Sequence, residues 1–93
     1  MKKVLLFHLD DCPYCHYARR ALKELAGENP AYASVEVEWI EERRRPEIAK
    51  NYDYYYVPTI FFGEVKLYEA HPGESYEEVK EHIRAALDKV LAQ

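Results

Sequence analysis

Two cysteines separated by two residues are the chemically conspicuous part of this 93-residue chain: Cys12-Pro13-Tyr14-Cys15. A disulfide stabilises mainly by closing a long loop in the unfolded chain, and this spacing closes almost none. The pair therefore reads as reactive, and in a reducing compartment as catalytic or metal-binding. Thiol chemistry runs through the thiolate, which the start of a helix favours. With Cys12 as N-cap, Pro13 at the first helical position and Cys15 in the first turn, unpaired N–H groups and the helix dipole face the Cys12 sulfur. A thiolate there attacks a substrate disulfide to give a mixed disulfide, which Cys15, one turn along, resolves. Asp10 and Asp11 oppose this, since two carboxylates beside the nucleophile disfavour its thiolate unless they turn away.

Three rival chemistries share the motif. With His16 it matches the c-type haem attachment pattern Cys-x-x-Cys-His. That pattern requires export and a covalent haem pocket, and Met1 is the one methionine available as an axial ligand. Zinc is the second, held by Cys12 and Cys15 with two of His8, His16, His71 and His82; a structural zinc site pairs two ligand clusters, and no second cluster appears. The third, an inert pair on a binding module, leaves two cysteines at a helix start unexplained.

The elements around the motif follow from apolar spacing. Lys3 to Leu9 carries a continuous apolar run, as a strand covered on both faces does. A helix from about Pro13 to Ala26 follows, with Cys15, Ala18, Leu22 and Leu25 on one stripe and Gly27 as its stop. Ser34 to Ile40 alternates, with Val35, Val37 and Trp39 opposite Glu36 and Glu38, the pattern of a half-exposed strand. A short helix starts near Pro46. Thr59 to Phe62 is apolar throughout, and Gly63 turns the chain into an alternating Val65-Lys66-Leu67-Tyr68. Ser75 and Glu78 form a capping box for a last helix with Val79, Ile83, Ala86, Leu87, Val90 and Leu91 inward. The order, βαβ-α-ββα, predicts an α/β domain with a four-stranded mixed sheet, apolar strands central and alternating strands at the edges.

One domain is what 93 residues support. The net charge of −4 argues against a nucleic-acid binder, since the single basic run Arg43-Arg44-Arg45 is short. The longest apolar run, Val4-Leu5-Leu6-Phe7, is far below membrane-spanning length and lacks signal-peptide features, so a cytoplasmic monomer is expected.

Taken together, these residues resemble the glutaredoxins of the thioredoxin superfamily. Cys-Pro-Tyr-Cys at a strand–helix junction is similar to the dithiol glutaredoxin active site. Val57-Pro58-Thr59 resembles the cis-proline segment of thioredoxin-fold proteins. The stretch from Arg45 to Tyr52 leading into it is more like that of thioredoxins. The resemblance spans essentially the whole chain and implies a thioredoxin-like three-layer sandwich and a thiol–disulfide oxidoreductase. It also implies that Cys12 is the nucleophile and Cys15 the resolving thiol. Val57, beside a cis Pro58, would pair with an extended substrate along a surface including Pro13, Tyr14, Thr59, Gly73 and Ser75. No bound cofactor is implied; glutathione is the expected co-substrate, and a disulfide-containing protein or a flavoprotein reductase the other partner. An iron–sulfur or other metal-binding module on the same cysteines is the alternative of a different class.

The departures bear on substrate. The lysine that glutaredoxins carry three residues before the first cysteine is Leu9 here. Their Gly-Gly pair and nearby aspartate become Pro72-Gly73-Glu74-Ser75, where Ser75 and the helix start could hold a carboxylate but Glu74 would repel it. The thioredoxin features also fail, with Leu6 in place of the buried aspartate and no tryptophan before the motif. Arg43, Arg44 and Arg45, at the start of a helix, are expected to form a solvated face offsetting Glu41, Glu42 and Glu47, unless one replaces the missing lysine. Tyr52, Tyr54, Tyr55 and Tyr56 read mostly as packing and loop residues, with one or two lining the groove beside Tyr14. The four histidines have no identifiable partner, although His16 would assist the thiolate.

Overall fold

The computed structural model describes residues 2–93, so Met1, weighed above as a haem ligand, lies outside them. The chain runs β1 (Lys3–His8), α1 (Pro13–Glu28), α2 (Pro30–Ala33), β2 (Glu36–Glu41), α3 (Pro46–Ala49), β3 (Thr59–Phe62), β4 (Val65–Glu69) and α4 (Tyr76–Leu91). The sheet order is β2-β1-β3-β4. β1 lies parallel to β2, with Lys3 opposite Glu36 and His8 opposite Glu41. It is antiparallel to β3, with Leu6 opposite Ile60. The two continuously apolar strands are thus central and the alternating ones are edges, as their patterns require.

Each central strand sends alternate residues to two different cores. Val4, Leu6 and Ile60 pack under α1 and α4 against Ala18, Ala21, Leu25, Val79, Ile83 and Leu87. Phe7, Ile40 and Phe61 face the other way, under α3 and the loop after it, against Ile48, Tyr52, Tyr54 and Val57. The result is the expected three-layer sandwich.

Four sequence expectations are corrected. Helix α1 passes through Gly27 and ends at Glu28. The stop is Pro30, which drives Asn29 to an extended conformation (φ −148°, ψ 115°) and starts the unanticipated turn of α2. Strand β2 begins at Glu36 and runs one residue further, to Glu41. The arginines Arg43 to Arg45 occupy the turn between β2 and α3, with Arg45 as the N-cap of α3. Between Ile60 and Phe61 of β3 the pairing with β4 shifts register and passes over Leu67, with Tyr68 buried and Val65 exposed.

Candidate functional site

The β1–α1 junction carries the two sulfurs into unlike surroundings. Cys12 is the N-cap of α1, extended at φ −94° and ψ 124°, and its side chain makes no capping hydrogen bond. Its carbonyl accepts the Cys15 and His16 N–H groups, both at 3.1 Å, starting the helix. The sulfur is half-exposed, and its S–H donates to the Val57 carbonyl at 3.7 Å. The Val57–Pro58 peptide is cis. Both Pro58 and Thr59 are buried, while Val57 is half-buried and Pro13 exposed.

Cys15, three residues on, is fully buried. The Leu9 N–H reaches its sulfur at 3.5 Å. Burial pushes its thiol up to about 12, with the neighbouring Cys12 adding to the shift and the Leu9 N–H and Arg19 opposing it. The junction thus sets an accessible thiol at a helix start beside a second thiol held neutral in the core.

On the far side of the motif, the expected anion-binding groups serve the protein itself. The Tyr14 hydroxyl accepts the Gly73 N–H at 2.6 Å, with Gly73 at φ +93°, a conformation that favours glycine. The Ser75 hydroxyl accepts the Glu78 N–H, and the Glu78 carboxylate accepts the Ser75 N–H, completing the capping box. Glu74 is turned inward. Its side chain is 6 % exposed and accepts the Tyr68 hydroxyl at 2.9 Å and the His71 N–H at 2.7 Å. Its other oxygen lies 2.7 Å from His82 Nδ1. His82 therefore has a partner that the sequence did not reveal, because Glu74 lies two turns away across the helix start.

The acidic pair before Cys12 is not left bare. Arg44 meets Asp10 at 2.5 Å, and Arg43 meets Asp11 at 3.4 Å. Behind them lies Glu41, 6 % exposed. It accepts the Arg43 N–H at 2.7 Å, the Arg43 guanidinium at 2.8 and 3.2 Å, and the Asp10 N–H at 3.3 Å. The Arg43 side chain, with these N–H groups and against the cost of burial, holds the Glu41 carboxyl down to about 2. Of the expected offsets, Glu41 and Glu47 are paired, the latter with Arg45 at 2.8 Å, whereas Glu42 accepts the Tyr54 hydroxyl. Sequence reasoning placed Glu41 on a solvated face, although the inward parity of Val35, Val37 and Trp39 continues to it and it is buried.

The remaining candidates separate. Tyr52 and Tyr54 pack on Phe7, Tyr54 stacked and Tyr52 tilted, both with ring centroids 4.9 Å away. They line a groove of about 410 Å³ together with Arg43, Pro46, Lys50 and Tyr55. Tyr55 is 83 % exposed and its ring lies edge-on to Tyr56. His8 is buried with its ring edge-on to Trp39, and burial, reinforced by Arg19, lowers its pKa. His16 and His71 are exposed. Among the described residues, no three His, Cys, Asp or Glu side chains gather at metal-ligating distance, and no helix is long and apolar enough to cross a membrane.

Comparison with known proteins gives the same architecture. The glutaredoxin family profile matches residues 4–67. A thioredoxin of Methanocaldococcus jannaschii is 38% identical over 74 residues, which cover 78% of this chain and 85% of the relative. A solved structure described as that of a malarial protein superposes with a TM-score of 0.60 at 16% identity, covering 91% of this chain and 96% of the other. At that identity it supports the fold alone.

Proposed function

The chain belongs to the glutaredoxin family of the thioredoxin superfamily, and from that premise we propose that it reduces disulfides through a Cys12–Cys15 dithiol cycle. One observation carries the reading: the accessible sulfur sits at the start of α1 and the buried one, held neutral, lies a turn behind it. The Cys12 thiolate attacks a substrate disulfide RS–SR′. A Cys12–S–S–R bond forms, the RS–SR′ bond breaks, and R′S⁻ leaves with the bond pair. Cys15 then loses its proton to solvent and attacks Cys12, giving the Cys12–Cys15 disulfide and releasing RS⁻. Two electrons have passed from the dithiol to the substrate, and an external thiol or reductase restores them. Burial of Cys15 keeps it from competing as first nucleophile and from trapping solvent oxidants.

The choice of reductant is the finer question, and protein-disulfide reduction served by a flavoprotein reductase is the reading favoured here over a glutathione cycle. The Gly73 and Ser75 N–H groups that would hold a carboxylate of glutathione are engaged by Tyr14 and Glu78, and Leu9 offers no charge. The M. jannaschii relative named thioredoxin points the same way. Parallel turnover of one disulfide with glutathione plus glutathione reductase, and with NADPH plus thioredoxin reductase, tests this. Faster turnover with the second couple is expected; turnover with glutathione alone would return the chain to a glutathione cycle. Loss of neither activity in Cys12→Ser would overturn the dithiol cycle itself.

A further inference from the structure

Next to the nucleophile the chain places Asp10 and Asp11, which alone would make the approach to Cys12 doubly negative. The β2–α3 turn answers each with one arginine: Arg44 on Asp10 at 2.5 Å and Arg43 on Asp11 at 3.4 Å. These pairs are not there to hold the fold. Both arginines are more than half exposed, and exposed ion pairs contribute little to stability. Yet the turn is built to present them. The buried Glu41 carboxylate grips the Arg43 backbone N–H and guanidinium, leaving the same Nη2 to reach Asp11. Glu41 also takes the Asp10 N–H, so one side chain fastens both the acidic pair and its cation to the end of β2. Glu41, itself an ionised carboxylate shared with Arg43, means that the two arginines offset two of three carboxylates here. His8, 3.9 Å from Asp10, is buried with a lowered pKa, Arg19 lies over the Trp39 ring, and Glu42 is engaged by Tyr54.

We propose that Arg43, positioned by Glu41, and Arg44 set the charge preference of the dithiol by offsetting Asp10 and Asp11, so that disulfides bearing carboxylates beside the sulfur are not repelled. The inference rests on Cys12 being the nucleophile. Its physical content is simple: a like-charged pair of carboxylates within several ångströms of an incoming dianion repels it, and exposed charges are screened but not abolished at ordinary salt.

The test uses three small disulfides of similar size: dithiodipropionate (anionic), hydroxyethyl disulfide (neutral) and cystamine (cationic). Each is reduced by the prereduced wild-type protein and by Arg43→Ala/Arg44→Ala. The double variant is expected to raise the cystamine-to-dithiodipropionate rate ratio about tenfold at low salt, with the neutral disulfide between them and the change shrinking at high ionic strength. Adding Asp10→Asn/Asp11→Asn to the double variant should return the ratio to that of wild type. A uniform change in all three rates would overturn the proposal in favour of a structural role. A ratio that stays raised in the quadruple variant would overturn it in favour of direct arginine contact with substrate. Failure of the underlying reading looks different, because wild type would then reduce none of the three.

Discussion

Helices α1 and α4 are both sixteen residues long and pack side by side, yet they begin in opposite ways. The start of α4 is closed. Ser75 and Glu78 satisfy each other, Glu74 is buried against Tyr68 and His82, and the Gly73 N–H is taken by Tyr14. The start of α1 is left open, with an N-cap side chain that forms no cap bond and a proline that has no N–H to offer. An uncapped helix start forgoes stability, and here the place of a capping hydroxyl is held by an accessible sulfur. The closed helix supplies the rigid body against which the open one is held, through Leu25, Ile83 and Leu87 in their shared core. Reactivity and stability are thus assigned to different helix ends rather than traded at one.

The sharpest way to break this contrast is to close α1 in the manner of α4. Cys12→Ser puts a preferred capping residue at the open start, so disulfide reduction should fall to background while the protein gains up to about 1 kcal/mol against denaturant. Turnover that survives would end the assignment of Cys12; a loss of stability would show that the sulfur already serves as a cap.

A second, smaller effect concerns Cys15. Its folded value, about 12, lies above the ordinary thiol value of 9.0. The raised value means that the folded protein favours the neutral thiol. Its contribution is therefore fully present below about pH 9 and is lost as pH rises through 12. Chemical denaturation of the reduced protein from pH 8 to 11 should show this decline, and Cys15→Ser should flatten it. Equal slopes in the two proteins would place the thiol in a wetter site than the fold suggests.

Opening α4 should cost less again. Ser75→Ala is expected to lose about 1 kcal/mol of stability, read from the urea midpoint at constant slope, because the box is structural. A rate loss beyond tenfold would instead move Ser75 into substrate binding. The mildest change is Tyr14→Phe, which deletes only the acceptor for the Gly73 N–H. Because that N–H is exposed to water once released, a cost of about 0.5–1 kcal/mol is expected, accompanied by faster exchange of the Gly73 amide. An unchanged exchange rate would remove Tyr14 as the link between the two helix starts.

Much of this was legible without coordinates. The dithiol at a strand–helix junction, the central and edge strands, and the capping box are all written in local patterns: a two-residue spacing, runs against alternation, a Ser and a Glu three apart. The errors fall where a nonlocal partner decides. Gly27 looked like a stop until Pro30 forced one, and β4 looked regular, although its pairing with β3 shifts register past Leu67. Glu74 had no visible partner in the sequence, although Tyr68 and His82 engage it in the fold. Asp10 and Asp11 had no visible counterions, although two arginines more than thirty residues along meet them.

What the chain determined by itself is the order of elements and the place of the cysteine pair at a strand–helix junction, because hydrophobic period and covalent spacing are properties of neighbours. What only the tertiary structure decided is the difference between the two sulfurs and the charge around them. Burial of Cys15, the grip of Glu41 on Arg43 and Asp10, and the closure of Gly73 by Tyr14 each require groups brought together by the sheet, and desolvation and Coulomb energy depend on that assembled surrounding rather than on sequence distance.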